Sequence, residues 1–166
     1  MKSIGAFTFV LHSHLPYARL AGRWPHGEEW LHEATAETYI PLLNLLYRLW
    51  DEGIPARLTL TLTPILLEQL ADEIVQRNFR TYMLERIEAI KQDVDRFTAA
   101  DDKTFSELSL FYLRWYQDIL KSFDERYNGD LISAFRSLQQ SGMIEIATCA
   151  ATHGFLPLLA EDESIE

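Results

Sequence analysis

Three histidines of this chain occupy positions from which they could share one binding pocket. His12 and His14 lie two residues apart, directly after the apolar run "IGAFTFVL", and His153 follows a later apolar run, "MIEIATC". An imidazole can hydrogen-bond a substrate hydroxyl group or coordinate a metal ion. Taken one at a time, each histidine could instead be hydrogen-bonded within the core. Three of them at the ends of two apolar runs favour a common site.

Parallel β-strands are the elements that must position these histidines. Residues 4–11 form a short apolar run that predicts a strand buried on both faces, as in parallel sheets. The segment Leu58–Leu62 ("LTLTL") alternates leucine with threonine and predicts a second strand, and residues 143–149 predict a third. Side chains alternate along a strand, and sites gather at the C-terminal ends of parallel strands. We therefore expect His12 and His14 to point to the same side and to meet His153 there.

Helices occupy most of the remaining chain. Residues 34–50 show the helical spacing of apolar side chains, and Gly53 stands where that helix should stop. Residues 65–140 are helical in pattern almost throughout, with Asp130 as the predicted N-cap of a last helix and Gly142 as its stop. Two apolar stripes predict two long helices that pack on each other, and their aromatic rings suit core packing better than a ligand-binding stripe. The stripes are Met83, Ile87, Ile90, Val94 and Phe97 on the first helix, and Phe105, Leu108, Tyr112, Trp115, Ile119 and Phe123 on the second.

This order of elements predicts an α/β fold. Strands of a parallel sheet are joined by right-handed crossovers, and one crossover carries a helical insertion at about residues 65–141. Three strands cannot close a barrel of seven or eight. The chain ends in the acidic stretch "AEDESIE", which predicts the beginning of a further helix. We therefore expect residues 1–166 to be the N-terminal part of one larger domain.

The composition is that of an ordinary globular domain, with 48% hydrophobic and 24% charged residues. The net charge of -10 comes from 25 acidic and 15 scattered basic residues, which argues against binding of nucleic acid through its phosphates and suits a neutral polar substrate better. The single cysteine, Cys149, cannot form an intrachain disulfide, and no basic-then-apolar secretion signal begins the chain. These features favour a cytoplasmic protein that does not act at a membrane, and nothing in the sequence specifies an oligomeric state.

Aromatic and acidic residues follow the first histidine pair. Trp24 and Trp30 could stack on the apolar faces of a sugar ring, while Glu28 and Glu29 could hydrogen-bond its hydroxyl groups. This mixture is typical of a saccharide cleft, although the two tryptophans could equally anchor the loop. Glu145 lies toward the beginning of the third predicted strand, so we expect it to be a buried, hydrogen-bonded structural carboxylate and not a catalytic group.

Two other classes of function remain open. His12 and His14 have the spacing of a zinc site in amidohydrolase-type barrels, which would make the protein a metal-dependent hydrolase with further ligands from later strands. Against this, no acidic residue lies close to His153 in the sequence, and Cys149 suits a small core position. The chain could also be a complete, non-catalytic protein whose helical insertion binds a partner.

Three blocks of sequence together resemble glycoside hydrolase family 57. They are "FVLHSHLPYAR", with its histidine pair followed by Pro-Tyr, then "WPHGEEWLHEATAETYIPLL", and finally "GMIEIATCAATHGFLPLL", with its single histidine. They occur in the family's order and span the chain, which makes them far more specific than the histidine pair alone. The segment "ATHGFLPLL" is more similar to the family's 1,4-α-glucan branching enzymes than to its α-amylases and 4-α-glucanotransferases.

This resemblance implies an incomplete (β/α)7 barrel with a helical insertion between its second and third strands. It also implies retaining chemistry on an α-glucan, in glycogen or α-glucan metabolism, without a metal or an organic cofactor. In such enzymes a glutamate carries the covalent glycosyl intermediate, an aspartate is the acid/base, and the cleaved chain is transferred to a 6-hydroxyl group.

The resemblance also assigns residues. His12, His14 and His153 match the family's histidine motifs and Trp30 matches its tryptophan, which implies that all four bind substrate. The motifs of both catalytic carboxylates lie further along the family's sequence than Glu166. We therefore expect no catalytic residue in this chain, and no activity from the chain alone.

Overall fold

A computed structural model describes residues 4–23, 25, 27–159 and 161. Three parallel strands form its sheet in the order β1, β2, β3: β1 is Val10–Ser13, β2 is Leu58–Leu62 and β3 is Ile144–Ala147. The helices are α1 (Glu29–Ala34), α2 (Ile40–Asp51), α3 (Pro64–Ala71), α4 (Glu73–Ala99), α5 (Lys103–Lys121) and α6 (Leu131–Gln140). The predicted α/β fold with a parallel sheet is confirmed, and α3 to α6 form a helical insertion between β2 and β3.

The two faces of the sheet have different surroundings. Leu60 and Leu62 of β2 are fully buried in the hydrophobic core, together with residues of α2, α3 and α6. Residues in register on neighbouring strands point to the same face, and His12 is in register with Thr61. His12 therefore lies on the face opposite to the leucines, which we call the polar face. The alternation of leucine and threonine separates the two faces, and the predicted bounds of β2 are confirmed.

The helix ends follow their sequence signals. Asp130 caps α6 by accepting a 2.9 Å hydrogen bond from the backbone N–H of Ser133, an arrangement worth about 1 kcal/mol. Gly53 and Gly142 follow α2 and α6 with left-handed φ angles of 71° and 75°. These predictions are confirmed. The helix predicted over residues 34–50 begins earlier, at Glu29 in α1, and continues into α2 through a π-helical turn.

β1 differs from its prediction. The strand begins at Val10 instead of Ile4, it includes His12, and Phe7 and Phe9 before it are exposed. The prediction of burial on both faces is wrong. In the described part of the chain β1 is an edge strand that pairs only with β2, and the helices cover only one face of the sheet. An apolar run shows that a strand suits burial, but burial itself also needs a second neighbour and a covering layer.

β3 is shorter than predicted, and Glu145 within it is exposed. Its carboxylate accepts a 2.9 Å hydrogen bond from Thr59 Oγ1, so the hydrogen-bonding part of the prediction is confirmed. The predicted burial is wrong. Glu145 is in register with Thr59 on the polar face, whereas the described helices pack on the other face.

α4 and α5 form the predicted pair of long helices, but they bury only part of their apolar stripes. Met83 and Ile119 are buried in the core. Phe105, Leu108 and Tyr112 are exposed, which contradicts the predicted burial of these side chains. The tip of this hairpin extends beyond the core, so its side chains have only the opposite helix to pack against. No helix among the described residues is long and apolar enough to cross a bilayer.

Candidate functional site

The three histidines predicted to share a site lie together. The ring centroid of His153 is 5.1 Å from that of His12 and 4.2 Å from that of His14, and the centroids of His12 and His14 are 6.4 Å apart. His12 is exposed, and the other two rings are half-buried. The predicted convergence is therefore confirmed: side chains from β1 and from the segment after β3 form one group, which we call the histidine cluster.

Two rings of the histidine cluster are held through Nδ1. The Nδ1 of His14 lies 3.2 Å from the hydroxyl oxygen of Thr63, a buried residue directly after β2. The Nδ1 of His153 lies 3.1 Å from the Sγ of Cys149, which is half-buried beside the cluster and not in the core position expected for it. In His14 and His153, Nε2 is therefore the ring nitrogen that remains for a ligand, within the described residues. Sequence reasoning missed Thr63, although its place at the end of β2 was a signal.

The backbone also aims His153 into the cluster. Its φ angle is 61°, and its N–H donates a 2.8 Å hydrogen bond to the carbonyl oxygen of Ala150, which closes a tight turn after β3. A non-glycine residue in this left-handed region costs on the order of 1 kcal/mol or more, and such residues cluster at functional sites. The turn thus places the His153 ring beside those of His12 and His14.

The electrostatic surroundings of His14 favour its neutral form. Burial, followed by the charges of His153 and His12, lowers the pKa of His14 below its ordinary value. His14 is therefore neutral at neutral pH, and a neutral imidazole donates one hydrogen bond and accepts another. A sugar hydroxyl group has the same dual capacity, so His14 can pair with a hydroxyl group without placing charge beside it.

The residues around Trp30 are arranged differently from the sequence-based expectation. Trp30 is the second residue of α1 and is 41% exposed. Glu28 is buried and accepts a 2.7 Å hydrogen bond from Asn78 Nδ2, and Glu29 Oε1 lies 3.5 Å from Arg86 Nη2. The prediction that both glutamates hydrogen-bond a sugar is not supported, because these carboxylates attach the beginning of α1 to α4.

A second polar group lies between α1 and α4 and consists of Glu28, His32 and Asn78; we call it the buried polar group. Glu28 and His32 are 6% and 4% exposed, and His32 Nε2 lies 3.8 Å from Glu28 Oε2. Burial lowers the pKa of His32 to about 4, so its ring is neutral at neutral pH. The ring packs against Phe79 and Tyr82 at centroid distances of 5.9 and 5.5 Å. These contacts fix the His32 ring between α1 and α4.

The metal alternative receives no support from the geometry. Among the described residues, no three side chains of histidine, cysteine, aspartate or glutamate are arranged to hold a metal ion. Trp24, which the sequence suggests as a sugar platform, lies outside the described residues, as does most of the acidic C-terminal stretch predicted to begin a helix.

Comparison with known proteins gives one family. The model of Glycosyl hydrolase family 57 matches residues 8–166, a range that includes the histidine cluster and Trp30. The 1,4-alpha-glucan branching enzyme TK1436 of Thermococcus kodakarensis is 45% identical over 161 residues, which are 97% of this chain and 23% of that protein. The chain therefore spans about a quarter of the length of this relative.

Two solved structures share the fold over nearly the whole chain. The GH57-type branching enzyme of Pyrococcus horikoshii has a TM-score of 0.88 and 45% identity, over 94% of this chain and 29% of that one. The alpha-amylase AmyC of Thermotoga maritima has a TM-score of 0.80 and 36% identity, over 91% of this chain and 28% of that one. Because a branching enzyme and an amylase both match, the fold of this segment does not by itself distinguish transfer from hydrolysis.

Proposed function

The chain belongs to glycosyl hydrolase family 57, and from this membership we propose that it is the donor-sugar-binding part of a 1,4-α-glucan branching enzyme. The whole protein would cleave an α-1,4 linkage and transfer the released chain to a 6-hydroxyl group of another glucan chain, as glycogen biosynthesis requires. The 45% identity to a relative named as a branching enzyme supports this choice within the family.

The observation that carries the proposal is the histidine cluster. His14 and His153 are each held through Nδ1, on the polar face of the sheet, with Nε2 left for a ligand in the described part of the chain. We propose that both rings and His12 hydrogen-bond hydroxyl groups of the donor sugar, and that Trp30 stacks on a sugar face. Fixed imidazoles would hold the donor ring in its distorted, reactive conformation, which accelerates the reaction through orientation.

The reaction proposed for the whole protein retains the configuration at the anomeric carbon. A glutamate attacks that carbon and forms a covalent glycosyl intermediate while an aspartate protonates the leaving oxygen. The aspartate then removes the proton of the acceptor hydroxyl group, which attacks the intermediate. This sequence needs two carboxyl groups about 5 to 5.5 Å apart. Neither is among the residues assigned to the site here, so the 166 residues would contribute binding without catalytic carboxylates.

Hydrolysis of an α-glucan is the second candidate, because an α-amylase shares the fold of this chain. Both reactions pass through the same kind of glycosyl intermediate and differ in whether water or a sugar hydroxyl group attacks it. What decides between them is how well the site excludes water and holds the acceptor chain.

A chimeric enzyme tests the proposal. This chain would replace the matching segment of the Thermococcus relative, and the products formed from amylose would be assayed for new α-1,6 linkages and for new reducing ends. We expect new α-1,6 linkages from the chimera, none from the isolated chain, and a loss of activity in the chimera with His12→Ala. A chimera that releases only reducing ends would favour an amylase. Full activity after His12→Ala and His14→Ala together would contradict the assigned site.

A further inference from the structure

A groove of about 430 Å³ runs along one side of the hairpin formed by α4 and α5, and we call it the hairpin groove. Its volume lies in the range of pockets that bind small molecules. One stripe of residues from each helix lines it, including Arg86, Asp93 and Phe97 on α4 and Phe105, Tyr112 and Tyr116 on α5.

The lining combines aromatic rings with hydrogen-bonding groups. Phe105 and Tyr112 are about half exposed, and one face of Phe105 stacks on Phe97 at a centroid distance of 5.1 Å. Arg86 and Asp93 are ion-paired with Glu29 and Arg96, and their remaining N–H groups and oxygen lone pairs can donate and accept further hydrogen bonds. Apolar planes beside such groups match a sugar ring, which has apolar faces and a rim of hydroxyl groups. The net charge of -10 disfavours an anionic polymer in this position.

One end of the hairpin groove reaches the segment that carries Trp30. Arg86 Nη2, at that end, lies 3.5 Å from Glu29 Oε1, and Glu29 directly precedes Trp30. From Arg86, the α4 wall extends to Phe97, a distance of about 16 Å at the rise of an α-helix. The groove therefore begins at the ion pair with Glu29, the sequence neighbour of Trp30, and continues along the hairpin.

We propose that the hairpin groove binds a linear segment of α-1,4-glucan, as an extension of the donor-sugar site. The inference rests on the proposed function, because it assigns the same class of substrate to a second surface. Phe105 and Tyr112 stack on sugar faces, and Arg86 and Asp93 hydrogen-bond hydroxyl groups. The helical insertion then holds a glucan chain at a distance from the histidine cluster.

NMR titration of the chimeric enzyme, labelled with ¹⁵N in this segment alone, with maltoheptaose, a linear α-1,4-glucan oligosaccharide, tests this proposal. The amide resonances of the hairpin groove and those of the histidine cluster are followed separately, and we expect both sets to shift. Tyr112→Ala should raise the Kd of the groove set about fivefold, which corresponds to about 1 kcal/mol. Leu110→Ala is the control: its side chain, on the same helix, is 37% exposed and does not line the groove. The control should leave Kd within about twofold.

Each outcome of the titration decides the inference. Shifts at the histidine cluster without shifts at the groove overturn the groove site and leave the proposed function standing. Groove shifts that survive Tyr112→Ala, or that follow protein concentration without sugar and so mark contact between two copies, overturn it as well. If neither set shifts, the proposed function fails together with the inference. Tyr112→Leu, which keeps an apolar side chain, replaces Tyr112→Ala if the alanine variant does not fold.

Discussion

His14 and His32 are both neutral histidines, but their surroundings give them different roles. His32 is 4% exposed and packs between α1 and α4, where burial lowers its pKa to about 4. His14 is half-buried on the polar face, and after burial the charges of two neighbouring imidazoles lower its pKa. A lowered pKa alone therefore does not identify a binding histidine. The difference lies in the neighbours, which are other imidazoles in one case and packed aromatic rings in the other.

The largest expected effect is on enzyme activity, which should depend on His14 and not on His32. In the chimeric enzyme, His14→Ala should lower kcat/KM about 100-fold, or about 2.7 kcal/mol, because an orienting contact to the donor sugar is lost. His32→Phe, which fills its site with another ring, should leave kcat/KM within about threefold in folded protein. Steady-state kinetics with amylose measure both values. Equal losses in the two variants would remove the distinction between the sites.

The pH dependence of stability should sharpen the comparison. Because the pKa of His32 is about 4 when folded and 6.5 ordinarily, the unfolded chain binds its proton first as the pH falls. The free energy of unfolding should therefore be highest above pH 6.5 and fall toward pH 4, by about 2 to 3 kcal/mol from this residue. Urea unfolding at several pH values measures the loss, which His32→Phe should remove and His12→Gln should retain. An unchanged slope in His32→Phe would refute the assignment.

Loss of the Asn78 amide from the buried polar group should destabilise the folded protein. Asn78→Leu removes the 2.7 Å hydrogen bond to the buried Glu28 carboxylate and should lower the free energy of unfolding by about 2 kcal/mol. Gln92→Leu makes the same kind of change at an exposed position of α4, and the free energy should stay within about 0.5 kcal/mol. Urea unfolding at neutral pH measures both. Similar small effects in the two variants would show that the buried hydrogen bond contributes little.

The smallest expected effect lies within the histidine cluster. His153→Gln removes the imidazole with the larger electrostatic effect on His14, so the pKa of His14 should rise. His12→Gln removes the imidazole with the smaller effect and should raise that pKa less. Titration of the His14 ring by NMR reports both changes. A pKa that stays fixed in His153→Gln would mean that the rings do not interact electrostatically.

Local sequence pattern and strand topology predict the bounds of strands and helices and the place where strand ends meet. The alternation of "LTLTL" gives β2 its bounds, and Asp130 and Gly142 give α6 its ends. The meeting of His12 and His14 with His153 follows from one further rule, that the C-terminal ends of parallel strands lie at one edge of a sheet. These features need no knowledge of distant side chains.

Burial and side-chain partners could not be predicted in the same way, because they depend on the layer that covers a surface. Glu145 and Tyr112 are exposed despite patterns that suit burial, since no described element covers their faces. Thr63 and Cys149 contact histidines from other segments, and only the folded arrangement shows those pairs. Glu28 precedes α1 by one residue and looks exposed in sequence, yet α4 buries it.

The left-handed backbone of His153 restricts which amino acids that position accepts. β-Branched residues such as valine would force the turn open, whereas glycine, asparagine and aspartate adopt this conformation readily. Asparagine therefore removes the imidazole but preserves the shape of the loop. Valine would remove the imidazole and also change the shape of the loop. The substitutions accepted at position 153 thus depend on both the shape of the loop and the chemistry of the ring. A screen of all substitutions at this position would separate these two requirements.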